Sequence, residues 1–87
     1  MSELQVELVA ADRRVWVGAA SMVRCRTASG ELGVMPGHTP LLGVLVNGDL
    51  VIHQADGGKQ AATIDSGFLS VEHDCVTIVA DHVTVAG

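Results

Sequence analysis

The sequence predicts an all-β fold, an antiparallel two-sheet β-sandwich or flattened barrel of about eight to ten short strands. Three observations predict it. Apolar and polar residues alternate with period two, as at Leu4, Val6 and Leu8 against Glu3, Gln5 and Glu7, the mark of a half-buried strand. Turn signals recur every few residues, with no helical periodicity between them. Apolar residues make up 48% of the 87, yet only Trp16 and Phe68 are aromatic. The core must therefore be built from Val, Leu, Ile, Ala and Met, and abundant valine favours strands.

The elements follow in order. After the strand around Leu4–Leu8, Ala10 to Arg13 reads as a turn and Arg14 to Val17 as a short returning strand. Ala19 to Thr27 is a third strand, with Val23, Cys25 and Thr27 on one side and Met22, Arg24 and Arg26 on the other. Ala28-Ser-Gly30 turns into a proline- and glycine-rich loop that contains a brief strand, Leu32 to Met35. Leu41 to Val46 is a continuous apolar run, which suits a strand buried on both faces. Asn47-Gly48 between apolar runs predicts a tight hairpin onto Leu50–Gln54. Ala55 to Gly58 makes the next turn. Strands at Lys59–Asp65 and Gly67–Glu72 join at Ser66-Gly67. Glu72-His-Asp74 closes a hairpin onto Cys75–Ala80, and a last extended piece spans His82–Val85.

Length and composition bound the function. Residues 1–87 form one domain, and so short a chain buries only a modest share of its surface. No apolar run reaches the roughly 20 residues of a membrane span, and the N-terminus lacks the basic and apolar regions of a signal peptide. Attachment to a membrane would run through partners only. The net charge of −5 argues against nucleic acid, which needs clustered Lys and Arg. No basic residue falls between Arg26 and Lys59. Cys25 and Cys75 are expected as reduced, partly buried thiols, since no CxxC motif is present.

The stretch Ser29 to Leu42 carries three of the ten glycines and both prolines. Pro36 and Pro40 fix their own φ and push Met35 and Thr39 towards extended backbone. Pro36-Gly37 fits the centre of a type II turn. Gly30 and Gly33 mark places where a side chain is excluded. The result is a stiff, shaped loop whose ionisable groups are Glu31 and His38. On chemistry alone it reads equally as a structural connection.

Catalytic and metal chemistry find little support. Cys75 lies near His73 and Asp74 in sequence, but a hairpin turn is a poor place to exclude water. His38, His53, His73 and His82 are scattered, without the close spacing of metal ligands. The glycines form no phosphate-binding pattern leading into a helix, so no cofactor is expected. A small β-barrel holding an apolar ligand is the runner-up. Against it, so short a chain has little interior to spare.

The segment Gly-Glu-Leu-Gly-Val-Met-Pro-Gly-His-Thr-Pro-Leu-Leu (30–42) closely resembles the signature of the epsilon subunit of F-type ATP synthases, called delta in mitochondria. Ser66 to Glu72 followed by Val76 to Ala80 resembles that family's next most recognisable stretch, and Leu4 to Arg13 its first strand and turn. The resemblance runs in order from about residue 2 to residue 80 and implies the family's N-terminal ten-stranded sandwich. It further implies a non-catalytic rotor subunit of the central stalk, on the cytoplasmic face of the membrane and monomeric when isolated. Its partners would be the gamma subunit and the ring of c subunits. The loop with Glu31 and His38 would face polar c-ring loops that carry arginine. Glu31 would accept a charge-assisted hydrogen bond, and His38 would add a polar contact that strengthens on protonation. Gly30, Gly33, Pro36, Gly37 and Pro40 would shape the loop, bringing both side chains to one end of the sandwich. Family members usually continue into two antiparallel helices. The residues Asp81 to Gly87 offer no helix start, so the inhibition and nucleotide binding placed in those helices do not carry over. A lineage without the helices and a piece of a longer chain are both compatible with the sequence.

Overall fold

The computed structural model describes residues 3–86. Nine strands fill it: β1 (Leu4–Ala10), β2 (Arg13–Thr27), β3 (Gly30–Val34), β4 (Leu41–Leu45), β5 (Gly48–Gln54), β6 (Lys59–Ile64), β7 (Gly67–Glu72), β8 (Cys75–Ala80) and β9 (Val83–Ala86). Hydrogen bonding links them in the order β1-β8-β7-β4-β2-β5-β6-β9, with β3 on β2. β1 also pairs with β2, so the path folds back on itself. The long strand β2 belongs to both layers. Its first half carries β1, and its second half carries β3 and β5.

Alternation decides the core. On β1 Leu4, Val6, Leu8 and Ala10 point inward, and on β8 Val76, Ile78 and Ala80 do the same. They meet Leu50 and Ile52 of β5 and Ile64 of β6 in one cluster. Each buried Leu or Ile contributes about 1.5–3 kcal/mol relative to an exposed one. No polar or charged residue is buried among the described residues. Contrary to expectation, neither methionine among the described residues is fully buried: Met22 is partly buried and Met35 lies exposed after β3. Cys25 is buried, which pushes its thiol up to about 11, whereas Cys75 is exposed. Both thiols are free.

Four expectations need correction. Arg14–Val17 and Ala19–Thr27 are one strand, because Gly18 does not break it. The Trp16 indole covers the space that a Gly18 side chain would need, its ring carbon 2.7 Å from the would-be Cβ. β4 is not buried on both faces: Leu42 and Val44 point outward, 75% and 55% exposed, because this layer's outer face is uncovered. Asn47-Gly48 is not a hairpin. β4 pairs with β7 and touches β2 at Thr27, while β5 pairs with β2 and β6. The dipeptide is the corner where the chain changes layers, held by Val46 N–H donating to the Arg26 carbonyl at 3.1 Å. Finally, β1 and β8 pair in parallel, the exception in an otherwise antiparallel set.

The Glu72–Asp74 turn does close a hairpin between β7 and β8. Its central residues, His73 and Asp74, have φ of 51° and 61°, the left-handed pair that a two-residue hairpin requires.

Candidate functional site

The Ser29–Leu42 segment is built from three supports. Thr27 makes the first. Its hydroxyl donates to the Gly30 carbonyl at 2.9 Å and accepts from Ser29 N–H at 3.1 Å. This closes the β2–β3 turn with Gly30 at φ 121°. β3 is the second, paired with β2 from Thr27 to Val23. The Pro36-Gly37 turn is the third, closed by His38 N–H donating to the Met35 carbonyl at 3.1 Å with Gly37 at φ 88°. That geometry is the expected type II turn.

Glu31 stands opposite Arg26 on the outer face. Its carboxylate lies 3.8 Å from Arg26 Nη2 and 4.0 Å from Arg24 Nη2, with all three side chains exposed. These distances suit a loose, screened arrangement worth about 0–1 kcal/mol per pair. His38 is half-buried after the turn. Its Nδ1 lies 2.7 Å from the Thr39 carbonyl. A carbonyl only accepts, so Nδ1 carries the proton and Nε2 is the acceptor of the neutral ring.

Glu31 and His38 do not emerge together. Glu31 sits beside the β2–β3 turn and His38 beyond the other end of β3. The five residues of β3 keep the strand straight between them, and only the Pro36-Gly37 turn reverses the chain. Gly33 also differs from expectation. Its backbone is not left-handed, and a Cβ there would meet nothing within 4 Å, so the chain itself excludes no side chain at that point. Gly30 and Gly37 do need their positive φ. Pro40 is exposed and leads into β4.

The sequence reading missed an apolar row on the outer face of the β4-β7-β8-β1 layer. Val44 lies opposite Phe68, Phe68 opposite Val79, and Val79 opposite Val9. Phe68 is 58% and Val79 43% exposed, and Leu42 stands in the adjoining row. Alternation carried the signal: with Leu69 and Val71 inside, Phe68 must face out. Two further recesses are open grooves rather than enclosed cavities. One, of about 570 Å³, is lined by Arg24, Arg26, Glu31 and Asp49; the other, of about 400 Å³, lies between β3 and β4. Neither is the interior cavity that an apolar-ligand barrel requires.

Away from the loop, Asp65 and His82 pin two corners together. The Asp65 carboxylate accepts from Ser66 N–H at 2.7 Å, His82 N–H at 3.0 Å and His82 Nδ1 at 2.6 Å. The His82 bond is the main reason that Asp65 falls to about 2 and that His82 is raised. The described residues hold no cluster of three or more His, Cys, Asp or Glu suited to a metal.

Residues 3–86 match the beta-sandwich domain of the ATP synthase delta/epsilon chain. The chain belongs to that family. It is 51% identical over 80 residues to the ATP synthase epsilon chain of Micrococcus luteus, covering 92% of this chain and 88% of that one. It is also 51% identical over 87 residues to the epsilon chain of Rhodococcus opacus, covering 99% and 71%. Against the Streptomyces griseus epsilon chain, 51% identical, the match covers 92% of this chain but 64% of the relative. In fold it superposes with a TM-score of 0.91 on a chain in the Euglena gracilis mitochondrial ATP synthase, a structure of OSCP, F1 and the c-ring. That match is 24% identical and covers 98% of this chain and 54% of the other. A chain of the Tetrahymena thermophila central stalk and c-ring gives 0.75 at 17% identity, covering 94% and 66%. This epsilon-type domain therefore has the β-sandwich fold expected of it, with nine strands among the described residues.

Proposed function

We propose that the chain is a non-catalytic rotor subunit of the central stalk of a proton-translocating F-type ATP synthase. It couples rotation of the c-ring to the gamma subunit and the catalytic head. The carrying observation is the exposed row Val44–Phe68–Val79 with Leu42 beside it, on a domain whose core is already filled. Contiguous exposed apolar surface marks an interaction site, and a row spread across three hydrogen-bonded strands is rigid. This row is the gamma face. Rigidity suits torque transmission, because little side-chain freedom is lost on docking.

The Ser29–Leu42 segment is the c-ring face. Glu31 meets a partner arginine in competition with its own Arg24 and Arg26, so its contribution is small. With Nδ1 engaged by the Thr39 carbonyl, His38 presents Nε2 for a polar contact with the partner loop. The domain lies peripherally at the cytoplasmic face of the membrane, held there by partners, and is a monomer when isolated.

Reconstitution tests the reading. Epsilon-depleted complexes are restored with wild type, Glu31→Lys or His38→Ala, and proton pumping is measured beside domain melting. Glu31→Lys places three cations together and should lower coupling most, with His38→Ala milder and both melting near wild type. Unchanged coupling in both variants removes the c-ring assignment.

A further inference from the structure

The Pro36-Gly37 turn is held from outside its own segment. A type II turn uses the N–H of its fourth residue, here His38, and leaves that of its third residue free. In this chain the free one, Gly37 N–H, donates to Asp74 Oδ1 at 2.8 Å, 37 residues away. Asp74 is itself fixed. It is the second central residue of the β7–β8 turn, with φ 61°, and its carbonyl accepts from Gln5 N–H at 2.8 Å. The next residue, Cys75, is registered against both Glu72 and Gln5. One carboxylate thus ties the turn to the ends of β7, β8 and β1. Immediately after Gly37, His38 has its backbone N–H taken by Met35 and its Nδ1 by Thr39. Fixing Gly37 therefore fixes the direction from which the imidazole is presented.

We propose that Asp74 is a positioning residue for the c-ring contact: its carboxylate holds the Pro36-Gly37 turn so that His38 is pre-ordered for the partner loop. The assignment rests on reading the His38 segment as the c-ring face. Asp meets two demands at once, since it tolerates left-handed backbone and carries an acceptor. Asn keeps both properties. Gly keeps the backbone freedom and loses the acceptor, so Asp74→Gly removes the tie without adding strain.

The test uses Asp74→Gly, Asp74→Asn and His38→Ala in the whole chain, with three readouts. These are amide hydrogen exchange at Gly37, attachment to a detergent-solubilised assembly of gamma and c-ring, and melting. Asp74→Gly should speed Gly37 exchange about tenfold or more and weaken attachment about three- to tenfold, the scale of one hydrogen bond. Its melting should stay within a few degrees of wild type, and Asp74→Asn should restore exchange and attachment. His38→Ala should weaken attachment while Gly37 stays protected. Wild-type Gly37 exchange in Asp74→Gly overturns the proposal. So does faster exchange with full attachment while His38→Ala attaches poorly. A fall in melting that Asp74→Asn does not rescue marks a purely structural role and also overturns it. Full attachment by His38→Ala removes the interface reading itself, and this proposal with it.

Discussion

Glycines separate what the chain needs from what it tolerates. A methyl group on Gly67 would overlap the Val79 carbonyl oxygen and crowd Ala80 Cα. Both obstacles are backbone of β8, which cannot rotate away. Gly67→Ala should therefore destabilise by about 1–3 kcal/mol or more, lowering the melting temperature by roughly 4–8 °C for each kcal/mol. Gly33 is the contrast, with extended backbone and open space. Gly33→Ala should be neutral or raise stability by about 0.4–1 kcal/mol, by restricting the unfolded chain. Paired thermal melts check both, and a large loss in Gly33→Ala would mean that its open space is illusory. Neither outcome is legible in the sequence, where both glycines simply flank apolar residues. The left-handed need of Gly37 was legible, because turn chemistry is local, whereas nothing in the sequence separated left-handed Gly30 from extended Gly33. The tie from Asp74 to Gly37 was not legible, because nothing local connects residues so far apart.

Among the elements, strands read well and their partners read poorly. Period-two alternation placed β1, and flanking turn signals placed β5, β7 and β8, each to within a residue or two. Asn47-Gly48 misled because a hairpin signal describes a short turn, and β4 instead finds β7 while β5 finds β2. Tertiary pairing overrode local preference. The Asp65–His82 pin acts at this scale, joining the β6–β7 corner to the start of β9. Its pH dependence has a definite sign. His82 is raised in the fold, so its contribution is full below the unfolded value near 6.5 and is lost as pH rises through the folded value. Asp65 is lowered to about 2, so its contribution is full above the unfolded value near 3.8 and is lost as pH falls towards 2. The pin is complete between about pH 4 and 6.5. In an NMR titration, His82 should titrate above the ordinary histidine range, and Asp65→Asn should bring it back down. An unshifted His82 in the wild type would mean that the bond is not formed in solution. Because both groups are exposed, solvent screens the pair and the effect on melting should be small.

For the whole molecule, the informative feature is what the fold leaves outside. The sequence supplied the two-layer architecture and, through its resemblance, the family. It did not supply the outer apolar row, because Val44, Phe68, Val79 and Val9 come from four strands that only the β4-β7-β8-β1 pairing brings abreast. Placing that row on gamma leads to a direct test. Phe68 is more than half exposed, so Phe68→Glu costs little packing in the isolated domain and should leave its melting within a few degrees of wild type. At an interface the same change buries an unpaired carboxylate, which is strongly unfavourable. Attachment to purified gamma should then fall by at least about 100-fold, an interface effect of at least about 3 kcal/mol. Leu42→Glu, in the adjoining row, should weaken it in the same direction. Glu31→Lys should weaken gamma attachment less than either, because Glu31 lies across the β3–β4 groove from Leu42 and Val44 and outside the row itself. Titration of gamma by calorimetry, with melts of each variant, separates these effects. Full gamma attachment by a folded Phe68→Glu domain would move the gamma face elsewhere, and the outer face of β2, β5 and β6 would be the next surface to test.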